Sequence, residues 1–156
     1  MPKITPFLWF DKQAEEAANL YASVFPNSKV LNVERFEDAG PAGNVQVVTL
    51  NLDGQEVRMM NAGPDFKLTE AFSFEVTVDG QEEVDRYWNA LTANGGEESY
   101  CGWLKDPYGV SWQIVPKQLN DAMGGPDKEG AARAMQAMLG MRKIIVADIE
   151  KAYAGS

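Results

Sequence analysis

The chain has 156 residues, 45% apolar and 24% charged, with 14 lysines and arginines against 23 acids and a formal charge of −9. A chain this long buries about two-thirds of its unfolded surface, so one compact unit needs no disulfide or metal staple. The charge repels phosphate backbones and anionic lipid, no apolar run reaches the roughly 18 residues that span a bilayer, and the single cysteine, Cys101, excludes an internal disulfide.

Neither a nucleic-acid partner nor a membrane is therefore expected. The N-terminal "MPKITPFLWFDKQ" has no apolar core followed by a small-residue cleavage site and runs straight into a first strand, so the expected location is the cytoplasm. In "FDKQAEEAANLYASV", Ala17, Leu20, Tyr21 and Val24 recur at the spacing of one helix face. Glu15 and Glu16 suit the positive end of that helix, and Asp11 is its expected cap. Three strands follow, "SKVLNVERF", "NVQVVTLNLD" and "QEVRMMN", the last two joined by the hairpin pair Asp53-Gly54. The Gly-rich "EDAGPAGNVQ" leads into a strand, where a nucleotide cradle leads into a helix, so it reads as a connecting loop.

The pattern then restarts. "AFSFEVTV" precedes "VDGQEEVDRYWNAL", in which Asp79, Gln81 and Glu82-Glu83 match Asp11, Gln13 and Glu15-Glu16 at an offset of 67 to 68 residues. Val84, Tyr87, Trp88 and Leu91 match the first apolar face, and Asp79 is again the expected cap. Gly95-Gly96 closes the helix, and "EESYCGWLKD" and "GVSWQIV" follow as strands around the turn residues Asp106-Pro107-Tyr108-Gly109. The repeat predicts an α+β fold of two tandem βαβββ modules, approximately residues 1–66 and 67–120 of a domain at 1–125. Residues 126–156 form a helical extension interrupted at Gly140, whose apolar stripe of Met135, Met138, Leu139, Ile145 and Ile149 either packs on the domain or forms a dimer contact.

Strand alternation divides the faces. Phe72, Phe74, Val76 and Val78 point toward the helix side and Ser73, Glu75 and Thr77 away from it, while Thr5, Phe7 and Trp9 share the outer side of the first module. Superimposing "GQEVRMMN" on "GVSWQIVP" makes Arg58 equivalent to Gln113. A polar residue among apolar neighbours needs a partner, which a ligand or a structural hydrogen bond supplies. Arg58 would clamp an anionic group or pair with Glu75. Trp112 is expected under the helices, and Cys101, with no histidine anywhere in the chain to activate it, reads as an inert thiol.

The segments "PFLWFDKQAEEAANLYASVFPNS", "NAGP", "AFSFEV", "QEEVDRYWNAL", "CGWLKDPYGVSWQIVP" and "ARAMQAMLGM" together resemble the PhnB-like branch of the glyoxalase/bleomycin-resistance/dioxygenase (vicinal oxygen chelate) superfamily, often labelled 3-demethylubiquinone-9 3-methyltransferase. The resemblance implies paired βαβββ modules forming a curved mixed sheet, usually in a homodimer, with a small-molecule ligand in the cup. Metal-dependent members hold a divalent ion on the first and last strands of each module; the corresponding positions here are Thr5, Ala71 or Ser73, Arg58 and Gln113, with no imidazole among them. The expectation is thus a ligand-binding protein with no metal and no cofactor, whose ligand meets Thr5, Phe7, Trp9, Arg58, Ser73, Trp103 and Gln113. The alternative is an enzyme of the same superfamily, a metal-assisted lyase, isomerase or dioxygenase or a methyltransferase, with Glu75 as the proton-transfer group.

Overall fold

In the computed structural model, which describes residues 2–41 and 43–155, the chain divides into units at Met1–Leu68 and Thr69–Ser156. The first runs β1 (Phe7–Phe10), α1 (Ala14–Val24), β2 (Lys29–Phe36), β3 (Val45–Leu52) and β4 (Gln55–Asn61), with sheet order β1-β4-β3-β2. The second repeats the plan with β5 (Ser73–Val78), α2 (Gly80–Thr92), β6 (Glu97–Glu98), β7 (Trp103–Lys105) and β8 (Ser111–Pro116), in sheet order β5-β8-β7-β6. First and last strands pair in parallel in both units, β1 with β4 and β5 with β8, and the remaining pairs are antiparallel. The expected tandem βαβββ modules are the observed architecture.

Each helix covers one face of its own sheet. In the first unit Leu8, Phe10, Val48, Leu50, Val57 and Met59 are buried, and α1 sets Ala14, Ala17, Ala18 and Tyr21 against them. Three alanines on that face let the helix axis approach the sheet closely, which leaves Leu20 and Val24 half-buried at the margin while Phe25 is buried just beyond the helix. α2 buries the four expected residues, Val84, Tyr87, Trp88 and Leu91. The β3–β4 turn at Asp53-Gly54 has φ of 50° and 86°, the two left-handed residues that a tight hairpin requires.

The caps differ from expectation. Helix α1 begins at Ala14, beyond the reach of Asp11, and the Ala14 N–H donates to Asn61 Oδ1 at 2.7 Å, so strand β4 supplies the cap. Asp79 occupies the capping position of α2, but its carboxylate accepts from Gln118 Nε2 at 2.9 Å and pairs with Lys117 Nζ at 3.2 Å. Its own N–H donates to Glu83 Oε2 at 2.8 Å, so a carboxylate four residues on satisfies the backbone at the helix start.

The segment after α2 contains two strands, β6 and β7, split by a turn in which Cys101 and Gly102 are left-handed, with φ of 61° and 84°. Their N–H groups donate to the carbonyls of Met141 and Arg142, both at 2.8 Å. The C-terminal part forms α3 (Lys117–Met123), α4 (Lys128–Leu139) and α5 (Val146–Ala154), with the expected break at Gly140. Val115, Leu119, Ala122, Ala134, Ile144 and Ile149 make one buried cluster, with Met138 packed against it. The expected apolar stripe therefore splits, because Met135, Leu139 and Ile145 point outward at 44%, 51% and 38% exposure. Among the described residues no helix is long and apolar enough to cross a membrane.

One link from α2 to this tail is testable by titration. Asp85 Oδ1 accepts from Gln81 Nε2 at 2.9 Å and pairs with Lys143 Nζ at 3.2 Å, and these contacts, the Gln81 hydrogen bond foremost, hold its carboxyl below the usual aspartate value. A depressed folded value means that the contribution to stability is complete above the ordinary aspartate range and is lost as pH falls through the lower, folded one. NMR titration of the side-chain carboxyls should show Asp85 moving up in Gln81→Ala by more than in Lys143→Ala; the opposite order would make the ammonium the dominant cause.

Candidate functional site

The face of each sheet turned away from its helix carries the residues singled out by alternation. On the first, Phe7 is 50% exposed, and Arg58, directly opposite it in the β1–β4 register, lays its guanidinium 5.6 Å from the Phe7 ring centroid. At an exposed site such a cation–π contact is worth about 0.5–1 kcal/mol, enough to bias the long Arg58 chain but not to fix it against a better partner. Trp9 is more firmly held: its Nε1–H donates to the Gly63 carbonyl at 2.9 Å, and its ring meets that of Phe66 edge-on at 4.9 Å. Thr5 is half-buried two residues before β1.

On the second sheet the register lays out two rows across three strands. Trp103, Gln113 and Glu75 stand opposite one another on β7, β8 and β5, and Lys105, Ser111 and Ser73 form the next row. Gln113 Nε2 donates to Ser73 Oγ at 3.0 Å, a diagonal bond that ties the rows together and aims the amide along the face. Glu75 is exposed beside it. Lys105 pairs with Glu70 of the loop before β5, and this ion pair holds the Glu70 carboxyl below its usual value. Trp112 lies on the helix side at 1% exposure, as alternation predicts.

Arg58 and Gln113 thus occupy equivalent positions, each on the last strand opposite a residue of the first, and the residues facing them are Phe7 and Glu75. Thr5 and Ser73 are the next positions on the same faces, two residues earlier in each module. The sequence reading did not single out Ser111, Lys105 and Glu70 as site residues. Alternation in "SWQIVP" does put Ser111 on the face of Gln113, but whether its hydroxyl finds a partner depends on residues distant in the chain. A cavity of about 120 Å³ is lined by Trp103, Lys105, Ser111, Glu70 and Glu97 among others.

A larger cavity of about 630 Å³, lined by Asp11, Lys12, Arg35, Gln46 and Asn61 among others, lies in the first unit. It borders the hydrogen-bonded chain in which Asn61 Nδ2 donates to Gln46 Oε1, and Gln46 Nε2 and Arg35 both donate to Glu15 of α1. Those side chains are already turned toward one another and toward the helix. Residues 37–44, the Gly-rich stretch, join β2 to β3 with no helix after them, and Ala42 within it lies outside the described residues.

At the positions that the resemblance makes metal slots, the first unit offers the Thr5 hydroxyl and the Arg58 guanidinium, and the second the Ser73 hydroxyl, or no donor at Ala71, and the Gln113 carboxamide. Divalent ions of the hard class take about six oxygens, several of them carboxylate, and the softer ones favour imidazole or thiolate. Arg58 adds a positive charge, and among the described residues no three His, Cys, Asp or Glu side chains are grouped as a metal site requires. These residues do not fit a resident divalent ion.

Residues 2–115 match the family model described as 3-demethylubiquinone-9 3-methyltransferase. The chain belongs to this family. It is the PhnB-like branch of the glyoxalase/bleomycin-resistance superfamily, and the match includes every residue of the two rows and of the Phe7–Arg58 pair. The PhnB protein of Bacillus cereus, which carries the same methyltransferase name as a provisional one, is 34% identical over 74% of this chain and 99% of its own, with a TM-score of 0.66. PA1353 from Pseudomonas aeruginosa shares the fold at 21% identity and a TM-score of 0.58, over 74% of this chain and 98% of its own. The fosfomycin resistance protein FosX from Listeria monocytogenes, solved with Mn(II) and sulfate, does so at 14% identity and a TM-score of 0.51, over 73% and 91%. No curated protein matches the chain. The family match ends at residue 115, so α3, α4 and α5 lie beyond it.

Proposed function

We propose that the protein binds a small organic molecule on the helix-free faces of its sheets, without a resident divalent ion. The row Trp103–Gln113–Glu75 carries this reading: a part-exposed aromatic plane, a part-exposed carboxamide and an exposed carboxylate stand side by side in adjacent strands on the face turned away from α2. Ligand sites combine apolar contact area with a few placed polar groups. In the second unit Trp103 would supply the area and Glu75 and Gln113, with Ser73 beside them, would orient a polar substituent; in the first unit Phe7 and Trp9 would supply the area and Arg58, with Thr5 on the same face, the polar contact. The same proposal places the protein in the cytoplasm as a homodimer.

The family's name favours a second reading, an enzyme of the superfamily in which Glu75 moves a proton during methyl transfer or a related reaction. Two measurements separate the readings. Elemental analysis of protein purified from metal-replete cells should find well under one divalent ion per chain, and neither Mn(II), Zn(II), Ni(II) nor S-adenosylmethionine should raise the melting temperature. In a fragment screen by 15N NMR on metal-free protein, the shifts should gather at Trp103, Gln113 and Glu75, or at Phe7, Trp9 and Arg58. Stoichiometric metal or a response to S-adenosylmethionine would establish the enzyme reading instead, and shifts confined to the 630 Å³ cavity would move the site to the other side of the first sheet.

A further inference from the structure

We propose that Ser111 is the contact for an uncharged hydrogen-bonding end group of the ligand, a carboxamide or a hydroxyl, received in the 120 Å³ cavity beside Trp103 and Lys105. This deepens the reading of the open face and rests on it. Ser111 is only 2% exposed, yet its Oγ has no hydrogen-bond partner among the described residues. A buried hydroxyl left unpaired destabilises a fold, and native structures rarely keep one without water, ion or ligand to satisfy it. The cavity that Ser111 lines has the space of about four waters at roughly 30 Å³ each, enough for a group of a few heavy atoms.

The charges around the cavity select the group. Lys105 is committed to Glu70, so its ammonium receives an anion only by giving up that partner, while Glu98 Oε2 accepts the Trp88 indole N–H at 2.7 Å and keeps its charge. Glu97, opposite Lys105 in the β6–β7 register, is exposed. An entering carboxylate would face three carboxylates against a single ammonium that is already neutralised. An entering ammonium would be attracted by the carboxylates of Glu97 and Glu98, but it only donates and would leave the Ser111 O–H proton without an acceptor. A serine hydroxyl both donates and accepts, and a carboxamide or hydroxyl answers it in both senses with no charge to place.

The test titrates 15N-labelled full-length protein with acetamide, acetate and methylammonium. Acetamide is expected to shift the Ser111 amide and the Trp103 indole N–H saturably, and Ser111→Ala is expected to weaken it at least about fivefold. Because the substitution removes an unpaired buried group, the melting temperature of Ser111→Ala should stay level or rise by about 2–4 °C. A preference for acetate or methylammonium, unsaturable shifts, unchanged binding in the variant, or a lower melting temperature would each overturn the proposal, the last by showing a structural hydrogen bond. Fragments that gather at Trp103, Gln113 and Glu75 while acetamide fails at Ser111 would sink this inference alone. Acetamide saturating at Ser111 while stoichiometric metal is found would sink the metal-free reading alone.

Discussion

Truncation after residue 125 should abolish cooperative folding of the second unit, leaving a chain whose urea or thermal melt loses its sigmoidal transition for residues 69–125. The helices α4 and α5 extend the chain beyond the family match, but they do not stand apart from what precedes them. Ile144 and Ile149 are fully buried with Ala134 against Val115 of β8 and Leu119 and Ala122 of α3. Burial of an isoleucine is worth about 1.5–3 kcal/mol, and the deletion also returns Val115 and Leu119 to water. The loss is on the order of 5–8 kcal/mol, comparable with the roughly 5–15 kcal/mol that holds a whole domain. Polar contacts go with it: Gln81 of α2 donates to the Ile144 carbonyl at 3.0 Å and accepts from the Val146 N–H at 2.7 Å, and the Cys101-Gly102 turn loses both its carbonyl acceptors. A truncated chain that melts cooperatively at the parent temperature would refute this. Outward residues behave differently. Met135→Lys with Leu139→Lys should leave stability within about 0.5 kcal/mol, so these positions test a dimer contact by size-exclusion chromatography where deletion cannot.

The repeat was legible because it is written in periodicity. Val84, Tyr87, Trp88 and Leu91 can lie together only on a helix, and the alternation of Ser73, Glu75 and Thr77 with Phe74, Val76 and Val78 leaves one choice of faces. From those two rules the equivalence of Arg58 and Gln113 follows, and the observed registers place them so. What sequence reasoning missed depends on residues distant in the chain. Asp11 looks like a cap until Asn61, 47 residues from Ala14, takes the first free N–H. Helix α3 has seven residues directly after Pro116, too short to display a period. The left-handed turn at Cys101 and Gly102 is held by carbonyls about 40 residues away, and a side chain on Gly102 would lie 3.1 Å from both the Ile114 carbonyl and Ile144. Ser111 could be assigned a face from "SWQIVP", but its isolation is a property of the packed unit and of no local pattern.

Asp106→Ala should destabilise the protein by about 3–5 kcal/mol, the other large effect expected, for reasons that lead back to the site. Asp106 is 3% exposed, and its carboxylate accepts from the Tyr108 N–H at 2.8 Å, the Val110 N–H at 3.1 Å and the Trp112 indole N–H at 2.9 Å. Its own backbone closes the turn, receiving the Gly109 N–H at 3.1 Å and donating to the Val110 carbonyl at 2.9 Å. Hydrogen bonds to a charged group contribute about 1.5–3 kcal/mol each, and alanine would remove the carboxylate that the buried Val110 N–H and Trp112 indole N–H donate to. Asp106→Asn keeps one oxygen for the two backbone donors but can turn an N–H toward the Trp112 N–H, and should cost about half as much. Trp112 lies between Ser111 and Gln113 on β8, so fixing its ring on the helix side fixes their side chains on the other. Asp106→Ala should therefore also broaden or shift the Ser111 and Gln113 amide resonances at temperatures where the variant is still folded. Equilibrium denaturation of Asp106→Ala, Trp112→Phe and the double variant measures the coupling; a single-variant loss under 0.5 kcal/mol, or additive losses, would mean that the carboxylate does not anchor the ring.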